Sequence, residues 1–157
     1  MKKFFYFLVT CIVVLILTTY LIVPDLKAQT KVDLSGLNIR ASKGDTVWVL
    51  LSHIKPDKCE QFEKVVHEIL WPVAYKLDPI DQQVAKQTRV LHPVKMNADS
   101  TYTYIFLMDP LIPKANYSAM YYLKKGYGEE KAKEYYKMFE ECFASPQIGY
   151  TVIQSQY

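Results

Sequence analysis

The chain has 157 residues, a formal net charge of +3 at pH 7 and three cysteines. Removing residues 1–28 takes away three lysines and one aspartate, so the net charge of the remainder falls from +3 to +1. No cluster of Lys and Arg is interleaved with aromatic residues as a nucleic-acid groove requires, and nucleic acid is therefore excluded as a partner.

Residues 1–28 have the features of a secretory signal. Lys2 and Lys3 precede an uncharged stretch, residues 4–23, and residues 26–28 offer a loose cleavage site. As a helix, residues 4–23 are also long enough to cross a bilayer core of about 30 Å, so a retained membrane anchor is the alternative. In both cases the remainder is expected outside the cytoplasm, either released (periplasmic or secreted) or held at the inner membrane.

Residues 29–45 are polar with scattered single hydrophobic residues, which predicts a linker before one domain at residues 46–157. The first strand is predicted at residues 46–54 and is followed by a helix with a buried stripe of apolar side chains. Pro72 lacks a backbone N–H, so a kink or stop is expected at Trp71.

Residues 88–96 read as a second strand. Pro93 cannot donate to a strand ladder, which predicts an edge position for this strand. A turn at residues 97–100 leads into a third strand at residues 101–108. The main second helix is predicted at residues 129–143 and the last strand at residues 149–155.

The element order is therefore β-α-β-β-α-β. With right-handed crossovers it gives an α+β fold with a four-stranded antiparallel sheet of order 4-1-3-2 and helices on one face. Strand-like runs at residues 47–51, 102–108 and 150–153 are apolar on both alternating faces and need cover on both sides. Since two helices can cover only one face, something else must cover the other.

This pattern resembles the dimeric α/β-barrel group of ferredoxin-like proteins, which includes antibiotic-biosynthesis-type monooxygenases and haem-degrading enzymes. The resemblance covers about residues 46–157 and rests on element order and two-sided apolar strands, without a diagnostic motif. It implies a homodimer in which two sheets pack face to face, with a pocket between each sheet and its helices. Haem-degrading relatives use a histidine in the C-terminal helical region, and here no histidine follows His92, which disfavours haem.

His53, at the end of strand 1, and His92, within strand 2 beside Pro93, are the candidate catalytic residues, as acids or bases. The alternative is that they only bridge a strand end or edge to water. The three histidines have no metal-ligand spacing, so neither a metal nor a cofactor is predicted. His67 and Trp71 are expected to point away from the buried stripe. A packing or interface role is favoured for Trp71, and a place at a pocket rim is the alternative.

Tyrosine is unusually frequent, with 13 residues. The candidate ligand-binding residues are Trp48, Tyr102, Tyr104 and Tyr121, which would line a pocket for an aromatic or apolar ligand. The alternative is that such side chains belong to the core or join the core to solvent.

Cys59 and Cys142 are the thiols that remain beyond the signal, and antiparallel helices would bring them to the same end of the helical layer. Export permits oxidation, so they are a candidate disulfide; two separate small hydrophobic residues are the alternative.

The sequence is compatible with three functions. The first is an exported homodimer of unassigned activity that binds a small apolar or aromatic ligand between sheet and helices. The second is a cofactor-free monooxygenase or isomerase acting on a phenolic substrate, which needs a titratable His53 or His92 inside a pocket. The third is an interaction protein tethered at the membrane through residues 4–23.

Overall fold

A four-stranded sheet organises the part of the chain that the computed structural model describes, residues 40–156. The strands lie in the order β2-β3-β1-β4, and every neighbouring pair is antiparallel. This is the predicted order 4-1-3-2 read from the other edge, and the ferredoxin-like α+β fold is confirmed. The strands are β1 (Thr46–Ile54), β2 (Thr88–Leu91), β3 (Tyr102–Met108) and β4 (Ile148–Ile153).

Residues 1–39 lie outside the described residues, so the signal peptide, the anchor and export remain predictions. Among residues 40–156, the structure contains no helix with the length and apolarity that crossing a bilayer requires.

Helices connect the strands. The first helical segment, α1, spans residues 56–74, and the others are α2 (Pro79–Gln87), α3 (Ala119–Tyr127) and α4 (Glu129–Glu140). Within α1 the backbone is 3₁₀ at Pro56–Lys58, α at Cys59–Glu63, π at Lys64–Leu70 and α again at Trp71–Ala74.

Of the kink or stop expected at Trp71, the stop does not occur; the irregularity is a π turn that ends just before Trp71. The wider π turn comes before Pro72, and the Trp71 N–H donates to the carbonyl of Val66, five residues back. The hydrogen-bond register therefore changes ahead of the proline, and the segment continues to Ala74.

Strand β2 is shorter than predicted. It ends at Leu91, and Pro93 lies beyond the strand rather than within it. The edge position is correct, and the shortening follows from the missing N–H of proline. Helix α4 likewise ends at Glu140 instead of residue 143.

One face of the sheet packs on the helices. Its cross-strand pairs include Ser52 with Tyr104 and Leu50 with Phe106. Phe62 of α1 is buried against this face, with ring centroids 4.7 Å from Tyr104 and 5.6 Å from Phe139 of α4. The core therefore lies between the sheet and the helical layer.

The opposite face of the sheet is apolar and partly exposed. Leu51 pairs with Ile105 of β3 and with Ile148 of β4, and Val49 pairs with Tyr150. Ile148 and Tyr150 are 43% and 53% exposed. We call this surface the open face.

The described chain begins and ends at the same end of the sheet. The Gly44 N–H donates to the Gln154 carbonyl at 3.0 Å, and the Gln154 N–H donates to the Asp45 carbonyl at 2.9 Å. The Ala41 N–H donates to the carboxylate of Asp109 at 2.6 Å, so the last part of the predicted linker is docked on the domain.

Candidate functional site

A cavity of about 650 Å³ lies between the helix-covered face of the sheet and the helical layer. This volume is within the range of small-molecule sites. Most of its wall is aromatic or aliphatic and includes Trp48, Trp71, Phe106, Met108, Tyr122 and Phe139.

Polar groups in the cavity wall are mostly engaged within the protein. The Thr88 hydroxyl donates to the Val84 carbonyl at 2.8 Å, and the Gln147 amide donates to the Ser52 hydroxyl at 2.7 Å. The Tyr122 hydroxyl donates to the Asn116 carbonyl at 2.8 Å. These bonds leave the cavity with a largely apolar character.

The tyrosines of the wall stay protonated at neutral pH. Burial raises the pKa of Tyr117, and burial, assisted by the nearby Asp81, raises that of Tyr122. Burial also raises the pKa of Tyr136. A phenol with a raised pKa donates a hydrogen bond rather than removing a proton, so these groups suit recognition better than base catalysis.

Trp48 reaches the cavity because β1 directs it to the helix-covered face. Its ring meets Tyr117 edge-on at 5.8 Å. Gly149 of β4 lies beside it, and a Cβ at that glycine would stand 3.0 Å from Trp48 Nε1. Because residue 149 has no side chain, there is room for the Trp48 indole beside β4.

Trp71 also lies in the cavity wall, edge-on to Phe106 with ring centroids 6.4 Å apart. The sequence favoured packing or an interface for Trp71, and the structure instead agrees with the alternative of a pocket rim. The π turn that precedes Trp71 shifts the helical register, and the spacing of apolar residues does not predict such a shift.

Of the four predicted ligand-binding residues, the structure places Trp48 in the cavity wall and the other three elsewhere. The Tyr104 hydroxyl donates to Glu63 at 2.6 Å, and Tyr121 lies beside Asp81 and Lys125. Tyr102 is half-buried on the same face of β3 as Tyr104 but does not line the cavity.

The two candidate catalytic histidines lie outside the cavity wall and apart from each other. His53 is on the open face of β1, where its Nδ1 is 3.0 Å from the Thr103 hydroxyl. His92 follows β2, with Nδ1 3.3 Å from Glu63 Oε1. The structure therefore does not bring them together, and a catalytic role for either stays a prediction.

A polar chain beside β2 was missed by sequence reasoning. It runs from Tyr104 through Glu63 and His92 to His67, whose Nε2 is 3.3 Å from His92 Nε2. The hydrogen bond from Tyr104, followed by the charge of His92, lowers the pKa of Glu63. The spacing of Glu63 and His67 by four residues hinted at a shared helical face, but nothing in the sequence placed His92 beside them.

Cys59 and Cys142 are free thiols in the structure. Burial raises the pKa of Cys59, and burial raises that of Cys142 to about 11, so neither thiol is activated. The Cys142 thiol donates to the Met138 carbonyl at 3.1 Å. A disulfide between the two stays a prediction for oxidising conditions.

Comparisons with known proteins give one structural neighbour and no sequence match. No family model and no curated protein matches the chain. The neighbour is a candidate antibiotic biosynthesis monooxygenase from Caulobacter crescentus CB15, with 16% identity and a TM-score of 0.40, covering 73% of this chain and 92% of that chain.

Proposed function

We propose that this protein binds a small apolar or aromatic molecule in the cavity between its sheet and its helices. The supporting observation is the composition of the cavity wall, where two tryptophans, two phenylalanines and three tyrosines surround about 650 Å³. Aromatic walls with a few fixed polar groups are typical of sites that bury most of a small ligand.

Binding is better supported than the alternative, a cofactor-free monooxygenase or isomerase acting on a phenolic substrate. Such a reaction needs a base within reach of the substrate proton. The cavity wall, as formed by the described residues, contains no histidine and no carboxylate, and burial holds its tyrosines protonated. Lys114 is the one charged side chain of that wall.

The proposal includes an exported homodimer formed through the open face. Monomeric proteins rarely expose contiguous apolar patches larger than a few hundred Å². The open face carries apolar side chains on three adjacent strands, β3, β1 and β4. Face-to-face packing of two copies would remove them from water while each cavity stays on the helix side. Export rests on the sequence of residues 1–28.

Tryptophan fluorescence tests the binding proposal directly. Trp48 and Trp71 are the two tryptophans of the whole sequence, and both line the cavity, so the emission reports on this site. Titration with the aromatic probe 1-anilinonaphthalene-8-sulfonate should quench the emission with a saturable curve. Since the probe also binds other apolar surfaces, a variant that fills the cavity is required.

Ala115→Phe places a ring in the cavity wall and should weaken probe binding by at least about tenfold. The matched control is Ala144→Phe at an exposed position that does not line the cavity, which should leave the curve unchanged. Equal quenching in both variants, or a linear curve with the unaltered chain, would overturn the proposal.

A further inference from the structure

The Nε2 atoms of His67 and His92 face each other. Their Nε2 atoms are 3.3 Å apart, their ring centroids are 5.2 Å apart, and the ring planes differ by 13°. His67 belongs to the π turn of α1, and His92 follows the end of β2. Two distant segments thus converge on one pair of imidazoles.

The nitrogen separation matches that of two ligands on one metal ion. A tetrahedral Zn²⁺ binds imidazole nitrogen at about 2.0–2.1 Å, which places two such nitrogens about 3.3–3.4 Å apart. The site therefore needs little rearrangement to accept an ion between the two rings.

Glu63 fixes the orientation of His92. Glu63 Oε1 accepts the Tyr104 hydroxyl at 2.6 Å and lies 3.3 Å from His92 Nδ1. An ionised carboxylate can only accept, so the His92 tautomer that bonds to Glu63 has its N–H at Nδ1 and directs the Nε2 lone pair toward His67. Histidines that bind a metal often donate their other ring N–H to a carboxylate, as His92 does to Glu63 here.

The local backbone and exposure also favour a site. The π segment at Lys64–Leu70 presents His67, and π turns occur often at functional sites. Both histidines are exposed, so water can occupy the remaining coordination positions. Within residues 40–156 there is no group of three or more His, Cys, Asp or Glu side chains that could hold a metal, which makes this a two-ligand site.

We propose that His67 and His92 bind a divalent transition metal ion of the borderline class, represented by Zn²⁺, with Glu63 positioning His92 and water completing the coordination. The site is separate from the ligand cavity, since none of these three side chains lines it. The inference is therefore independent of the proposed function.

Isothermal titration of Zn²⁺ into the full chain, without a histidine tag, tests the site. One ion per chain is expected to bind. His67→Ala and His92→Ala should each weaken binding by at least about tenfold, and Glu63→Gln by about 10- to 100-fold, the range seen for outer partners. His53→Ala is the matched control, because His53 is the third of the three histidines and lies on the open face.

Circular dichroism in the presence of EDTA checks that each variant is folded. If the His92→Ala variant is not folded, the Zn²⁺ affinity of the His67→Ala variant decides the test. No Zn²⁺ binding by the unaltered chain would overturn the proposal. So would unchanged affinity in the folded His67→Ala variant, or an equal loss of affinity in His53→Ala.

Discussion

At the scale of single residues, a small polar cluster joins α2 to α3. The Asp78 carboxylate caps α2 by accepting the Asp81 N–H at 3.1 Å, and it also pairs with Lys125 of α3. The same lysine lies 2.7 Å from Asp81, which is only 4% exposed. The Tyr121 hydroxyl accepts from Lys125 at 2.8 Å, which explains why this tyrosine serves the cluster rather than the cavity.

Two substitutions at Asp78 separate the cap from the ion pair. Asp78→Ala removes both and should lower the free energy of unfolding by about 1 kcal/mol for the cap, plus a few tenths for the half-exposed ion pair. Asp78→Asn keeps an N-cap residue, so the free energy of unfolding should fall only by the few tenths of a kcal/mol that the ion pair supplies. Urea unfolding at pH 7 measures both, and equal losses would contradict this division.

The stability supplied by Asp78 should depend on pH. The hydrogen bond from Lys125, followed by that from the Asp81 N–H, lowers the pKa of the Asp78 carboxyl. A lowered folded-state pKa gives stability that is fully present above the unfolded value of about 3.9 and is lost as pH falls through the folded value. The difference between the unaltered chain and Asp78→Asn should therefore shrink below about pH 4. A difference that stays constant down to pH 2 would be incompatible with this account.

At the scale of elements, α1 shows what local pattern can and cannot predict. Apolar spacing identified the buried stripe that includes Phe62, and proline chemistry marked the irregular region near Pro72. The form of the irregularity was not predictable, because a π turn and a kink both accommodate a missing N–H. The difference matters, since it determines where His67 and Trp71 lie.

The contact between α1 and α3 depends on a glycine. A Cβ at Gly126 would lie 1.8 Å from Val73 Cγ2, so Gly126→Ala should lower the free energy of unfolding by about 1–3 kcal/mol through overpacking. This outweighs the helix propensity that alanine gains over glycine, about 1 kcal/mol. Chemical denaturation measures the change.

A second substitution tests the cause of that loss. Val73→Ala removes the obstructing methyl groups, so Gly126→Ala should cost less in that background than in the unaltered chain. Lys124→Ala, at an exposed neighbouring position, should change stability by no more than about 0.5 kcal/mol. A Gly126→Ala variant as stable as the unaltered chain would show that the helices can separate without cost.

At the scale of the whole molecule, the sheet and the place of the cavity were predictable, but most of the residues that line the cavity were not. The element order with right-handed crossovers predicted the order of the four strands, and the two-sided apolar strands and Pro93 agreed with that order. The cavity wall combines side chains from the sheet, α1, α2, α3 and α4, and sequence periodicity says which face a residue occupies but not which neighbours it meets.

The proposed dimerisation through the open face can be tested by a substitution on that face. Tyr150→Asp places a charge on that face and should weaken self-association by at least about tenfold, because an unpaired carboxylate would be buried between the sheets. Tyr75→Asp is a matched control, since Tyr75 is also exposed (46%, against 53% for Tyr150) but follows α1. Light scattering coupled to gel filtration measures the mass of each variant.

A monomer at all concentrations of the unaltered chain would contradict the dimer. A Tyr150→Asp dimer as tight as that of the unaltered chain would mean that association uses another surface.

The hydrogen bonds that join Gly44 and Asp45 to Gln154 have a practical consequence. A fluorophore attached near Gln154 would lie beside Gly44 and Asp45, at the same end of the sheet. The hairpin turn at residues 97–100 connects β2 to β3 at the opposite tip of the sheet, near Ile54 and Tyr102. Labels or inserted epitopes at that turn should stay clear of the end of the sheet where Gly44 and Gln154 meet.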